Sequence, residues 1–304
     1  MDNLNLNYDK LQTTNFINKI NYNNNINSKF LKNLLKECYE NVAFSTLPYF
    51  IDHFNSINSI TKLNSGNCVS MSMYLKIKLA ENGIKSYLIP ASIPFMYKKP
   101  EYLYISHVAL AIPKNKNQIY ILDPAFYFFT PILYDMNDIN KPQLIDNINI
   151  YNNDKTNIIS TNHIMTRREI FNKYQSMPKY TFYTKCRFVN NLNDTWNYYL
   201  REIKNPDKAI STYFINCNKR FITTTKFKND GYCYMDIYLK IDKDFMNNDI
   251  LTVTVDNKPF FKGYPQNLTS QQVEFLNKKL GKFINKNIKR YLYNKIKKKY
   301  KIID

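Results

Sequence analysis

Apolar positions along the chain fall into two periods, one helical and one strand-like, and they change over near residue 84. In 28–44 (SKFLKNLLKECYENVAF), Phe30, Leu31, Leu34, Leu35 and Cys38 recur at helical spacing, which predicts a helix capped by Ser28 with Cys38 as a small core residue. A second helix is expected over 47–54, where His53 sits among apolar neighbours as a structural histidine. A loop, Asn64-Ser65-Gly66-Asn67, precedes a third helix over 68–82, with Val69, Met73, Ile77 and Ala80 as its inner stripe and Gly83 as its stop. Strands are then expected at 84–91, 102–112 and 118–126.

The stretch 131–200 has little period, apart from a helical RREIFNKY at 167–174. Strand patterning returns at 219–227 and 232–241, around Asn-Asp-Gly at 229–231, which reads as a hairpin with a short turn. Further strands are expected at 250–255 and 258–264, and a long amphipathic helix from about 269 to about 300. Residues 1–27 are Asn-rich and weakly patterned. No internal repeat and no Pro- or Gly-rich linker is visible. Helices, then strands, then more strands and a last helix read as an α+β chain. Its expected parts are a helical region over 1–83, a β-rich region over 84–200, and β-strands with a basic helix over 201–304.

Composition narrows the class. Hydrophobic residues make up 44%, with 26 Tyr and 20 Phe, which a disordered chain would not carry. The formal charge of +19 points toward nucleic acid or an anionic membrane surface. Asn, Lys, Ile and Tyr are all abundant, however, as codons of an A/T-rich genome, viral or protist, would make them. The sharper use of the charge is confined to the last helix. There Val273, Leu276, Leu280, Phe283 and Ile284 make one face, and Lys278, Lys279, Lys282, Lys286, Lys289 and Arg290 crowd the rest. The five cysteines are widely spaced with no CxxC pair, so no zinc ribbon or other metal site is expected. With no apolar leader and no long apolar run, a reducing cytoplasmic location is the expectation.

One group of residues carries chemistry. Cys68 follows Gly66 and Asn67 at a predicted helix start, where unpaired N–H groups and the helix dipole favour a thiolate and can bind an oxyanion. Gly66 and Asn67 would let the backbone approach a substrate closely. If 102–112 and 118–126 pair about PKNKN at 113–117, Ile112 faces Gln118, Leu110 faces Tyr120 and Val108 faces Leu122. In that register His107 stands directly opposite Asp123, within reach for a carboxylate to hold an imidazole N–H. A slip of one residue would put them on opposite faces. Taken singly, each has a plainer reading: a buried structural cysteine, a strand histidine, and an Asp-Pro that closes a strand.

The segments GNCVSMSMYLKIKLAENGIKSYLI, SHVALAI and IYILDPAF together resemble the papain-related, transglutaminase-like cysteine enzymes. The resemblance implies a helix bearing the Cys packed on an antiparallel sheet that carries His and Asp, so Cys68, His107 and Asp123 would form a catalytic triad. A narrower resemblance is to arylamine N-acetyltransferases, through the order and spacing of those residues, LDPAFYFFTPI, and a closing helix LTSQQVEFLNKKLGKF. Asn64-Ser65-Gly66-Asn67 stands where that family has Arg-Gly-Gly-aromatic, and Pro-Ala follows Asp123 in place of Val-Gly.

The resemblance implies acyl transfer through a Cys68 thioester from a small-molecule or protein donor, either a carboxamide or a thioester such as acetyl-CoA or another acyl-CoA, to an amine acceptor, with no cofactor required. Hydrolysis of an amide or peptide bond by a cysteine peptidase or amidase differs only in what attacks the thioester. A non-catalytic binding protein on the same fold, using its basic surface, is the third reading.

Overall fold

The computed structural model describes residues 13–14, 22–51, 55–92, 107–126, 131–135, 143–146, 155–158, 180–181, 188–189, 197–198, 202–204, 206–227, 233–256 and 258–283. The architecture is α+β, as the periods predict. The chain divides into two compact units, one from 1–38 and 72–210 and the other from 39–71 and 211–304.

The first unit is built on a five-stranded antiparallel sheet. Its strands run in the order Asn197–Tyr198, Tyr87–Ser92, His107–Pro113, Gln118–Leu122, Ile132–Asp135. Every residue of His107–Pro113 is buried, so the strand is apolar on both faces and lacks the alternation of a half-exposed strand. Ser72, in the helix Cys68–Glu81, donates from Oγ to the Val108 carbonyl at 3.3 Å. The helix ends as expected. Gly83 has φ +69°, the Gly83 N–H reaches the Ala80 carbonyl, and the Ile84 N–H reaches that of Leu79.

The second unit has a six-stranded sheet in the order Lys258–Gly263, Asp249–Val255, Cys233–Lys243, Arg220–Phe227, Ala43–Ser45, Ser65–Gly66. Ile222, Leu239 and Val253 are in register across three strands, and each is buried. The helix Ser270–Leu280 covers this face with Leu276 and Leu280. It starts at a full capping box between Thr269 and Gln272. The helix ends at Leu280 with Gly281 as its cap, so it does not run unbroken to about 300 as expected. Lys279 within it bonds Asp236 at 3.2 Å, and Lys282, in the turn beyond it, donates to the Glu40 carbonyl at 3.0 Å and to Asn41 at 2.8 Å, all within the second unit. Among the described residues, no helix is long and apolar enough to cross a membrane.

Several sequence expectations need correction. The first helix, Ser28–Asn41, is capped by Asn27, whose Oδ1 accepts from the Phe30 N–H at 2.8 Å, so Ser28 is its first residue and not its cap. Its expected tail is instead the strand Ala43–Ser45, in which Phe44 and Ser45 pair with Thr223 and Ile222 and Ala43 pairs with Ser65. A helix over Ser56–Leu63, capped by Asn55, was not predicted because Ser, Asn and Thr fill half of it. In Cys68–Glu81 the buried line is Met71, Ser72, Leu75 and Leu79, whereas Ile77 is 38% exposed and Ala80 is exposed. The buried serines hid that face from a reading based on apolar residues.

The hairpin register is shifted by two residues: Ile112 faces Tyr120, Leu110 faces Leu122, and Pro113 faces Ile119. Pro113 can close the strand because it needs only its carbonyl there. The turn is set instead by the Lys114 and Asn115 N–H groups, both donating to the Gln118 carbonyl. The second strand ends at Leu122, and a 3₁₀ turn follows at Pro124–Phe126. The readings at His53, at 167–174 and beyond 283 lie outside the described residues.

Candidate active site

His107 and Asp123 meet. The imidazole Nε2 lies 2.8 Å from both carboxylate oxygens, and each residue is 1% exposed. The two-residue register shift keeps the parity that puts both side chains on one face, but it makes them diagonal rather than opposed. The strand stops one residue before Asp123, and the Asp-Pro turn lets its carboxylate swing across to the imidazole. A carboxylate only accepts, so this contact places a proton on Nε2 and makes Nδ1 the basic nitrogen.

Tyr198 completes the group. Its hydroxyl donates to Asp123 Oδ2 at 2.7 Å, and the residue is fully buried. Tyr198, Ala91 and His107 are cross-strand partners in sequence along three neighbouring strands. Strands stand about 4.8 Å apart, so Tyr198 and His107 start roughly 10 Å from one another. The tyrosine ring spans that gap over Ala91, whose single methyl group leaves the path open. Sequence reading missed Tyr198, because the stretch around Trp196 to Leu200 carries no period and the strand there is two residues long.

Cys68 is the first residue of its helix, as expected, and its first turn, through Met71, belongs to the second unit. It is 3% exposed. Asn67 is the cap: its Oδ1 accepts from the Val69 N–H at 3.0 Å and the Ser70 N–H at 3.2 Å, and its carbonyl accepts from the Met71 N–H at 3.0 Å. Among the described residues, the Cys68 N–H itself makes no hydrogen bond. It is therefore the donor of this turn that could meet an oxyanion. The Asn67 N–H donates to the Tyr49 hydroxyl at 3.2 Å. A Cβ on Gly66 would collide with the Ser70 side chain, so close packing within the protein accounts for this glycine.

Two other cysteine side chains are described. Cys38 is fully buried, and burial, followed by the neighbouring Glu37 charge, pushes its thiol well above its ordinary value. Cys217 is half-buried in the turn after the helix Asp207–Asn216. No three His, Cys, Asp or Glu side chains among the described residues converge as metal ligands would.

No protein-family model and no curated protein matches the sequence. Solved structures do. The arylamine N-acetyltransferase NAT3 of Bacillus cereus, described with a Cys-His-Glu catalytic triad, superposes with a TM-score of 0.51 at 15% identity, over 84% of this chain and 91% of its own. Arylamine N-acetyltransferase C of Bacillus anthracis gives 0.50 at 15% identity, over 89% and 99%. The enzyme of Mycobacterium abscessus gives 0.51 at 11% identity, over 95% and 96%. The chain therefore has the papain-like, transglutaminase-like fold of the arylamine N-acetyltransferases.

Proposed function

We propose that this chain is a cysteine-dependent acyltransferase that works through a thioester on Cys68, with His107 as base and Asp123 as the residue that orients it. The observation that carries the reading is the buried His107–Asp123 pair, with both carboxylate oxygens 2.8 Å from Nε2. A carboxylate in that position fixes the tautomer and stabilises the imidazolium form. The fold shared with acetyltransferases supports the same reading, and the Bacillus cereus enzyme is described as using His with a carboxylate of the other type.

The donor is an acyl thioester such as acetyl-CoA, and the acceptor is an amine of the arylamine class. His107 Nδ1 takes the thiol proton, and the Cys68 thiolate attacks the acyl carbonyl. The carbonyl oxygen, now negative, is met by the Cys68 N–H. The carbon–sulfur bond to the donor breaks, and the leaving thiolate takes the proton from the imidazolium. The amine then attacks the enzyme thioester. Its proton passes through Nδ1 to the departing Cys68 sulfur, which restores the thiol. Gly66 and Asn67 set the turn that presents Cys68.

The test is intact mass after mixing the full chain with acetyl-CoA. One acetyl adduct is expected, mapping to Cys68 and discharged by an arylamine. Cys68→Ala should give none, and His107→Ala should slow its formation by on the order of 10²–10⁴-fold. An adduct on another residue, or none at all, would overturn the reading. Discharge by water with no preference for amines would make the chain a hydrolase.

A further inference from the structure

We propose that Tyr49 is a positioning residue for the Cys68 nucleophile, acting through a closed circuit of hydrogen bonds beneath the start of its helix; this rests on the reading of Cys68 as nucleophile. Tyr49 belongs to the short helix Leu47–Ile51 and is 1% exposed. Its hydroxyl lies 2.8 Å from Ser70 Oγ, 3.1 Å from Ser56 Oγ and 3.2 Å from the Asn67 nitrogen. Ser70 Oγ lies 3.2 Å from the Ser56 carbonyl, and Ser56 Oγ lies 3.4 Å from Asn67 Oδ1. All of these residues belong to the second unit.

The protons of the circuit can be assigned. The Asn67 N–H can only donate, so the Tyr49 oxygen accepts it. The Ser56 carbonyl can only accept, so the Ser70 hydroxyl donates to it and keeps its lone pairs for the Tyr49 O–H. The Ser56 hydroxyl donates to Asn67 Oδ1, which also receives the Val69 and Ser70 N–H groups, so in this arrangement its 3.1 Å approach to the Tyr49 oxygen carries no proton of its own. Tyr49 is thus the member bonded both to the residue before Cys68 and to the residue two after it. It turns the Asn67 N–H inward. With the amides of Val69, Ser70 and Met71 taken by Asn67, the Cys68 N–H is left as the donor at the reacting end.

The circuit also explains the glycine. A Cβ at Gly66 would overlap Ser70 and come within 3.3 Å of the Tyr49 hydroxyl, so the loop packs directly on the two groups that hold it. In Tyr49→Phe the ring stays but the Asn67 N–H loses its acceptor and the Ser70 hydroxyl loses its donor. The turn can then relax, and Cys68 and its N–H are less firmly held at the reacting end.

The experiment uses the full chain. Cys68 alkylation by iodoacetamide is followed by peptide mapping across pH, beside thermal melts and acetyl-CoA turnover. Tyr49→Phe should slow Cys68 alkylation about two- to tenfold, the range one hydrogen bond supplies, and should move its pH profile upward. In turnover, kcat should fall with little change in KM. Ser70→Ala breaks the circuit at another point and should move the profile the same way, which covers the case in which Tyr49→Phe fails to fold. An unchanged pH profile with a lower melting temperature would make Tyr49 a structural residue and overturn the inference while leaving the Cys68 thioester intact. If wild-type Cys68 forms no acyl adduct and is not the preferred thiol, the nucleophile reading fails and this inference falls with it.

Discussion

Tyr198→Phe tests whether the His107–Asp123 pair is held by its third member. The substitution keeps the ring, so no cavity opens and the apolar contacts over Ala91 persist. The substitution removes the 2.7 Å hydrogen bond from a buried hydroxyl to a buried carboxylate. Hydrogen bonds to charged groups contribute about 1.5–3 kcal/mol. For a unit of this size that corresponds to a fall in melting temperature of roughly 3–12 °C. Urea unfolding of wild type, Tyr198→Phe, Asp123→Asn and the double variant closes a thermodynamic cycle. If the hydroxyl acts through the carboxylate, the second substitution costs little once the first is present, and the coupling should reach at least about 1 kcal/mol. A coupling below about 0.5 kcal/mol would refute the reasoning, because the tyrosine would then be contributing ring burial alone. A companion variant probes the path. Ala91→Leu places a branched side chain between Tyr198 and His107, and it should be destabilising by a similar amount, since overpacking a filled core costs about 1–3 kcal/mol.

Three further outcomes follow from the packing. Gly66→Ala should destabilise by about 1–3 kcal/mol through its collision with Ser70, and Gly66→Ala with Ser70→Gly should recover part of the loss in urea unfolding; no recovery would place the strain elsewhere. Arg220 holds Asp249 at 3.1 Å through Nη1, but its Nε and Nη2 are buried without a hydrogen-bond partner among the described residues, while Lys243 also reaches Asp249 at 2.9 Å. Arg220→Met should therefore be neutral or stabilising, whereas a loss above about 3 kcal/mol would show the ion pair to be essential. Cys38 stays protonated in the folded chain after the unfolded thiol ionises, so its contribution to stability is full below the ordinary value of 9.0 and declines as pH rises above it. The urea midpoint of wild type should accordingly fall more than that of Cys38→Ala between about pH 8 and about pH 10, and parallel curves would refute this.

The residues that do the proposed chemistry were legible in the sequence for a reason that does not extend to the residues that hold them. A thiol after a glycine at a helix start, and a histidine and an aspartate an even number of residues off register, can be read from local chemistry and strand parity. Parity survived an error of two in the facing residues, because side chains alternate with a period of two. The turn itself could not be placed, since nothing in PKNKN says whether Pro113 closes the strand or opens the loop. The supports are of another kind. Tyr198, Tyr49, Ser56, Asn67 and Ser70 are polar side chains that are buried because a specific partner awaits each one, and the partner is as much as 144 residues away along the chain, as Ser211 is from Asn67. Hydrophobic patterning assigns such residues to the surface. That is how Ser70 and Ser72 masked the inner face of the Cys68 helix and how the helix Ser56–Leu63 went unpredicted. A buried hydroxyl is stable only when its hydrogen bonds are made. Its position is therefore a property of the assembled fold rather than of any window of sequence. It follows that substitutions at these hydroxyls should be read in the folded protein through unfolding cycles and pH profiles, because their consequences lie in the geometry that Tyr198 fixes at Asp123 in the first unit and that Tyr49, Ser56 and Ser70 fix at the start of the Cys68 helix in the second.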